Sequence, residues 1–90
     1  MSQNKPDLES EIRKFITENM LFSADGFNYD DNDSLLEAGI VDSLGVMELV
    51  TFVGQTYKIT VPPEDISPDN FDSITRLANY IRLKQGTGRA

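Results

Sequence analysis

Residues 37–57, EAGIVDSLGVMELVTFVGQTY, contain a glycine turn, a polar pair and a long apolar run with the spacing of an α-helix. The apolar positions that share one face are Val46, Leu49, Val50, Val53 and Tyr57. Asp and Ser are preferred where helices begin, so the pair Asp42–Ser43 predicts a helix start and a helix that extends to about residue 57. Ser43 should then lie exposed at the positively polarised end of that helix.

The opposite face of this helix is predicted to carry apolar side chains that the core does not use. Leu44 falls among polar positions, beside Glu48, and Met47 lies on the flank. Burying a leucine is worth roughly 1.5–3 kcal/mol, so an outward Leu44 offers a contact to a partner. Single exposed leucines are also common and need no functional explanation by themselves.

A first helix is predicted upstream, followed by a long loop. The helix starts at Asp7 and runs to about residue 21, with an apolar face at helical spacing. Its apolar positions are Leu8, Ile12, Phe15 and Ile16. Residues 22–33 show no periodicity and should form a loop, which we expect three aromatic side chains to attach to the core: Phe22, Phe27 and Tyr29. Its aspartates do not fit an EF-hand, because the glycine required at the sixth position is missing.

The remainder of the chain predicts one short helix and one long one. Residues 64–71 are interrupted by Pro68 and have room for a helical turn or two. The last helix is capped by Asp72 or Ser73 and should end at Gly86, with residues 85–90 frayed. The prediction is an all-α fold: a small four-helix bundle in one domain over residues 1–90, with its core at about 7–84 and flexible termini.

Composition limits the function. The chain has 15 acids against 8 bases, a net charge of −7, which disfavours nucleic acid and anionic membrane surfaces as partners. It has no histidine and no cysteine, so the usual metal ligands and Cys–His or Ser–His–Asp catalysis are excluded. We therefore expect a monomeric, cytoplasmic, non-enzymatic protein without membrane insertion or a metal site.

The stretch from Leu36 to Leu44, LEAGIVDSL, followed by Met47-Glu48-Leu49, resembles the phosphopantetheine attachment site of acyl carrier proteins. The resemblance extends to residues 59–62 and 71–74 and to the order of helices, so that it covers about residues 7–84. The DSL triplet alone is weak evidence; its combination with this context and chain length is specific.

This resemblance implies a covalent cofactor. A magnesium-dependent phosphopantetheinyl transferase would attach 4′-phosphopantetheine from coenzyme A to Ser43, and Asp42 would help to orient the site. Acyl groups would be held on the arm as thioesters, and Leu44, Met47 and Glu48 would face partner enzymes that activate or transfer acyl groups. In some carriers the inner helix faces form a cavity that shelters the acyl chain.

The sequence also departs from the carriers of fatty-acid synthesis, whose central helix is rich in acids. Here Glu48 is the only acid in the helix after Asp42, which indicates a specialised free-standing carrier. The cargo would be acyl intermediates of a lipid or polyketide-type pathway. The alternative is an aminoacyl or peptidyl carrier for a dedicated nonribosomal or D-alanylation-type pathway. A hypothesis of another class is an unmodified helical interaction module in which Ser43 only caps the helix.

Overall fold

The computed structural model describes residues 7–21 and 28–87, and the regular elements in these two ranges are all helical. They form four α-helices: α1 (Leu8–Ile16), α2 (Ser43–Tyr57), α3 (Pro68–Phe71) and α4 (Ile74–Thr87). A 3-10 turn, Pro63–Asp65, precedes α3. The predicted all-α bundle of three longer helices and one short helix is confirmed, and no helix in the described ranges is long and apolar enough to cross a bilayer.

The first helix begins and points inward as predicted, but its pitch changes. Asp7 caps α1, and its side chain accepts a hydrogen bond from the N–H of Ser10 at 2.9 Å. Ile12 and Ile16 are fully buried on the inner face. Beyond Ile16 the chain continues as a π-helical turn, Thr17–Leu21, so the predicted length is right although the last turn is wider than an α-helix.

The core lies where α1, α2 and α4 face one another. From α2 it takes Leu49 and Val53, both fully buried. The predicted apolar face of α4 is fully buried as well: Ile74, Leu77, Ala78 and Ile81. Burial of one large aliphatic side chain is worth roughly 1.5–3 kcal/mol, so each of these buried residues contributes to stability on that scale.

Polar contacts join the outer edges of the longer helices. Arg82 of α4 donates two hydrogen bonds to the carboxylate of Glu9 on α1, at 2.8 and 2.9 Å. The hydroxyl of Tyr57, at the end of α2, donates to the carboxylate of Glu11. Burial and the nearby Glu11 carboxylate raise the pKa of Tyr57 well above its ordinary value, so the hydroxyl keeps its proton further into the alkaline range than a free tyrosine does.

The fourth helix differs from the prediction at its end. Ser73, one of the two predicted caps, accepts a hydrogen bond from the N–H of Arg76 at 3.0 Å. The helix then runs through Gly86 to Thr87, one residue beyond the predicted end at Gly86. Gly86 does not take the positive φ that would turn the chain out of the helix.

An ion pair holds the loop between α1 and α2 against the first helix. The guanidinium of Arg13 in α1 donates to the carboxylate of Asp31 at 2.7 and 2.8 Å. Tyr29, one of the three expected anchors, is 40% exposed. The other two expected anchors, Phe22 and Phe27, lie outside the described residues.

Candidate functional site

The segment that leads into α2 is fastened by Asp72, the residue just before the cap of α4. The carboxylate of Asp72 accepts hydrogen bonds from the N–H of Leu36 at 2.9 Å and from the hydroxyl of Ser34 at 2.5 Å. Its backbone carbonyl accepts a third from the N–H of Leu35 at 2.8 Å. Donors from three consecutive residues thus converge on one residue and hold the segment near the start of α4.

A tight turn then directs the chain towards α2. The carbonyl of Leu35, a buried residue, accepts from the N–H groups of both Ile40 and Val41, at 3.0 and 3.2 Å. Gly39, the glycine of the predicted turn, has a φ of 75°, a left-handed conformation that favours glycine. Because Ile40 and Val41 are buried as well, the backbone is fixed up to the residue that begins the helix.

Asp42 is the cap of α2, and Ser43 is its first residue. The Asp42 carboxylate accepts from the N–H of Gly45 at 2.9 Å, while its backbone carbonyl accepts from the N–H of Val46 at 2.9 Å. The hypothesis that Ser43 itself caps the helix is therefore wrong. Asp42 fills that role, which leaves the serine hydroxyl without a capping function.

Gly45 lets the chain pack closely under the first turn of α2, a role that the sequence analysis did not predict. A Cβ atom at Gly45 would lie 2.8 Å from Cγ1 of Val41, closer than two carbon atoms can approach. Val41 therefore packs directly against the helix backbone. This contact and the Asp42 cap fix the direction in which α2 starts.

Ser43 is exposed, and no described residue makes a hydrogen bond to its hydroxyl. At a helix start the first backbone N–H groups lack partners within the helix. Here the N–H of Gly45 donates to the carboxylate of Asp42. The N–H groups of Ser43 and Leu44 thus remain at the positive end of the α2 dipole, beside the free hydroxyl. The local chemistry is a hydroxyl next to a place where an anion is favoured.

The side chains predicted to face partners are exposed. Leu44 is 76% exposed and Met47 is 49% exposed, and Glu48 is also exposed on the same side of α2. The predicted orientation of α2 is therefore confirmed. Leu36 is a further exposed leucine, at 41%, which the sequence analysis did not select, because only the Asp72 contact reveals which way this segment faces.

Two depressions flank the start of α2. One is an open cleft of about 350 Å³ between the π turn and α2, and its lining includes Asn19, Met20, Asp42, Leu44 and Glu48. The other is a small, mostly apolar cavity of about 90 Å³ between α2 and α3, and its lining includes Leu36, Val46, Ile66, Pro68 and Phe71. Asp42 and Leu44, the two neighbours of Ser43 in the chain, line the open cleft.

The family model described as "Phosphopantetheine attachment site" matches residues 16–81, a range that contains this whole arrangement. The chain belongs to this phosphopantetheine carrier family. Membership brings a covalently attached 4′-phosphopantetheine, and it makes the protein a carrier rather than an enzyme. Carriers of this kind interact with a phosphopantetheinyl transferase and with enzymes that load and unload them.

Curated relatives of this carrier are named for an aminoacyl group. A D-alanyl carrier protein of Streptococcus mutans is 34% identical over 75 residues, which cover 83% of this chain and 91% of that protein. A D-alanyl carrier protein of Streptococcus pyogenes is 35% identical over 65 residues, covering 72% and 81% respectively.

A solved structure also resembles this carrier. It is described as "Crystal structure of FAD-dependent dehydrogenase", and one of its chains matches with a TM-score of 0.66 and 35% identity. The match covers 78% of this chain and 97% of that chain. The carrier fold of the described residues is thus found in a solved protein of similar sequence.

Proposed function

We propose that Ser43 is the residue that carries 4′-phosphopantetheine and that the arm holds a small aminoacyl group for partner enzymes. The observation that carries this proposal is the exposed Ser43 hydroxyl, left free at the first residue of α2 because Asp42 performs the capping. No other described serine or threonine combines exposure with the first position of a long helix.

The reactivity of Ser43 has to come from outside the chain. The sequence contains no histidine and no cysteine, so no imidazole or thiolate can activate the hydroxyl or be the nucleophile. A transferase supplies that activation, and this chain supplies position. The Asp42 carboxylate, next to the serine, fits the prediction that it orients the site for the transferase.

The residues present fit the phosphate end of the arm. A phosphodiester on Ser43 is placed beside the N–H groups of Ser43 and Leu44 at the positive end of α2, where an anion is stabilised. No basic side chain in α2 is required for this, and α2 contains none. When attached, the arm supplies a terminal thiol, the group on which cargo is held as a thioester and which this chain lacks.

Two observations support a small aminoacyl cargo. The curated relatives are named as D-alanyl carriers. The cavity between α2 and α3 is small, about 90 Å³, which favours a cargo of few heavy atoms. Both favour the aminoacyl alternative of the sequence analysis over long acyl intermediates of a lipid or polyketide-type pathway.

A second candidate is that the tethered cargo is a substrate of a flavin-dependent dehydrogenase. The support is the solved structure described as an FAD-dependent dehydrogenase, in which nearly all of one chain is matched by this carrier. This chain would be the carrier, since it belongs to the phosphopantetheine family, and the flavoenzyme would be a separate protein that acts on the tethered cargo. The two candidates share the arm on Ser43 and differ in the enzyme that follows loading.

The attachment is tested by intact-mass spectrometry of the purified protein after incubation with coenzyme A, Mg²⁺ and a broad-specificity transferase. We expect the mass of one phosphopantetheine on the wild-type chain and on Thr51→Ala, which removes another exposed hydroxyl of α2. We expect none on Ser43→Ala. An unchanged wild-type mass, under conditions that load a control carrier, would favour the unmodified interaction module.

Two further measurements separate the alternatives. Ser43→Ala should keep its stability, whereas Asp42→Ala should lose about 1 kcal/mol because it removes the cap. The loaded protein is then offered to a D-alanine-activating ligase and to an acyl-activating enzyme. Thioester formation with the first alone supports the aminoacyl cargo, and formation with the second alone contradicts it.

A further inference from the structure

The small cavity between α2 and α3 is lined mostly by apolar side chains, and its lining begins one helical turn after Ser43. The nearest of these side chains in α2 is Val46, which lies about 4.5 Å further along the helix axis than Ser43. Leu36, which also lines the cavity, is 41% exposed, so the cavity meets solvent beside it. We call the space bounded by Leu36, Val46, Ser67, Phe71 and Asp72 the α2–α3 cavity.

Two polar side chains interrupt this apolar lining, and one of them is the carboxylate of Asp72. One of its oxygens accepts a hydrogen bond from the N–H of Leu36, and the other accepts from the hydroxyl of Ser34. A carboxylate can accept roughly four hydrogen bonds, so about half of this capacity remains. Asp72 is half-buried, and none of the ion pairs within residues 7–21 and 28–87 involves it. The wall of the cavity therefore carries a negative charge without a cationic partner among the described residues.

The second polar side chain in the lining is the hydroxyl of Ser67. Ser67 precedes α3, at a position where a serine commonly caps a helix, but its hydroxyl accepts no capping hydrogen bond. Only its backbone carbonyl is used there, accepting from the N–H groups of Asn70 and Phe71 at 3.0 Å each. The side chain is half-buried, and no described residue makes a hydrogen bond to its hydroxyl. This hydroxyl is therefore available to a group that enters the cavity.

A carboxylate and a hydroxyl within an apolar lining match an ammonium group on a short carbon skeleton. The ammonium can donate to both oxygen types, and its bond to the carboxylate is strengthened by the opposite charges. Apolar ligand pockets use a few polar groups of this kind to orient what they bind. An acyl group of the same size without the amine would leave the carboxylate facing apolar atoms, which costs free energy. The chemistry of the lining thus favours an aminoacyl group over a simple acyl group.

We propose that Asp72 and Ser67 select an aminoacyl cargo by binding its α-ammonium group in the α2–α3 cavity. The ammonium donates to the carboxylate of Asp72 and to the hydroxyl of Ser67. The small side chain of the aminoacyl group lies against Val46 and Phe71. This inference rests on the proposed function, because the arm on Ser43 is what brings the cargo to the cavity. It adds a requirement for positive charge to the limit on cargo size.

The test compares two cargoes that differ only in the amine, an alanyl group and a propionyl group. Each is joined to the arm by a stable amide in place of the thioester, and a broad-specificity transferase moves each arm from its coenzyme A analogue to Ser43. Intact-mass spectrometry confirms one arm on each chain. Backbone amide chemical shifts are then measured by NMR. We expect the shifts of the alanyl and propionyl forms to differ most at Leu36, Ser67 and Phe71, and not to differ at Asn79, an exposed residue of α4 outside the cavity.

A second measurement identifies the partner of the ammonium. Asp72→Asn removes the charge but keeps an oxygen that can accept from Leu36, and Asp69→Asn makes the same change at an exposed acid of α3 that does not line the cavity. The pKa of the alanyl ammonium is measured by NMR titration on each loaded chain. A nearby carboxylate raises this pKa, so we expect it to be lower by about half a pH unit or more in Asp72→Asn than in wild type, and unchanged in Asp69→Asn. Ser67→Ala should reduce the difference in shifts between the alanyl and propionyl forms.

The outcomes distinguish this inference from the proposed function. If the wild-type chain receives the arm but its alanyl and propionyl forms give equal shifts around the cavity, ammonium binding is overturned and attachment at Ser43 stands. An ammonium pKa that is equal in wild type and Asp72→Asn overturns the assignment to Asp72. If the wild-type chain receives no arm, the proposed function and this inference are both overturned. Should Asp72→Asn fail to fold, the comparison of the two cargoes on wild type and on Ser67→Ala decides the question without it.

Discussion

Replacing Asp72 should weaken the fold and slow the modification of Ser43 together. Asp72→Ala removes the carboxylate that accepts from the Leu36 N–H at 2.9 Å and from the Ser34 hydroxyl at 2.5 Å. The backbone bond from Leu35 remains possible, since it uses the carbonyl of residue 72. The segment that turns the chain towards Ser43 thus loses two of its three attachments.

The magnitude follows from the two lost hydrogen bonds. A hydrogen bond to a charged group contributes about 1.5–3 kcal/mol net. The Leu36 bond is exposed and Asp72 is only half-buried, so we take the low end and expect a loss of about 2–3 kcal/mol in the free energy of unfolding. Domains are stable by about 5–15 kcal/mol, and 1 kcal/mol shifts Tm by about 4–8 °C at this size.

The assay combines urea unfolding with the rate of phosphopantetheine attachment at a temperature where the variant is folded. Asp72→Asn should lose less than Asp72→Ala, because its amide oxygen can still accept from Leu36. Asp69→Ala, which removes an exposed acid of the neighbouring helix, should stay within about 0.5 kcal/mol of wild type.

Two results refute the reasoning about Asp72. If Asp72→Ala unfolds at the same urea concentration as Asp69→Ala, the hydrogen bonds of the carboxylate contribute nothing to stability. If it is destabilised but, while folded, is modified at the wild-type rate, Asp72 stabilises the fold without positioning Ser43.

Two further predictions concern packing and charge. Gly45→Ala should lower the free energy of unfolding by up to about 2 kcal/mol, because the new Cβ overlaps Val41. Gly86→Ala should raise it by up to about 1 kcal/mol, because nothing lies within 4 Å of the new Cβ and alanine favours the helix. Urea unfolding of both variants checks that the two changes have opposite signs. The hydrogen bonds from Arg82 lower the pKa of Glu9 below its ordinary 4.5, so this contact contributes stability above that pH and is lost as the pH falls through the lowered pKa. The unfolding midpoint of the wild-type protein and of Glu9→Gln is therefore measured at neutral pH and again below pH 4.5. The midpoint should fall less between these two conditions in Glu9→Gln than in wild type, and an equal fall in both proteins contradicts this contribution.

The parts of the fold that the sequence predicted are those determined by local patterns. The inner faces of the long helices follow from apolar spacing, and α2 covers the predicted Ser43–Tyr57. The glycine turn before Asp42 follows from the glycine itself, and Gly39 adopts the positive φ that such a turn uses. Such signals are contained within one or two helical turns of sequence.

The parts that were not predicted depend on contacts between distant residues. Asp72 was considered only as a cap for α4, and its role in holding the segment around Leu36 requires two elements that are 36 residues apart. The π turn after α1 has no distinctive composition, and Lys58, which ends α2 with a positive φ of 58°, is not a residue type that marks such an end. The contact of Asp72, the π turn and the left-handed Lys58 therefore depend on how the helices pack together.

The site shows why local preference alone did not identify the cap of α2. Asp and Ser are about equally good caps. From the sequence alone, either Asp42 or Ser43 could cap α2, and the helix could begin at residue 43 or at residue 44. The close approach of Val41 to the backbone of Gly45 provides the missing information, because Asp42 caps that same N–H. The start of the helix is therefore set by packing that a helical wheel does not represent.

The same arrangement explains how a carrier can expose a modified residue without weakening its fold. The turn between the buried residues Leu35 and Val41 fixes the approach, Asp42 closes the helix end, and Gly45 permits the contact beneath. No described residue relies on the Ser43 side chain for a hydrogen bond, so a bulky group can be attached there without removing one. If Ser43 were the cap, modification of its hydroxyl would disturb the hydrogen bond that starts the helix. The division between Asp42 and Ser43 therefore separates the stability of α2 from the chemistry at its first residue.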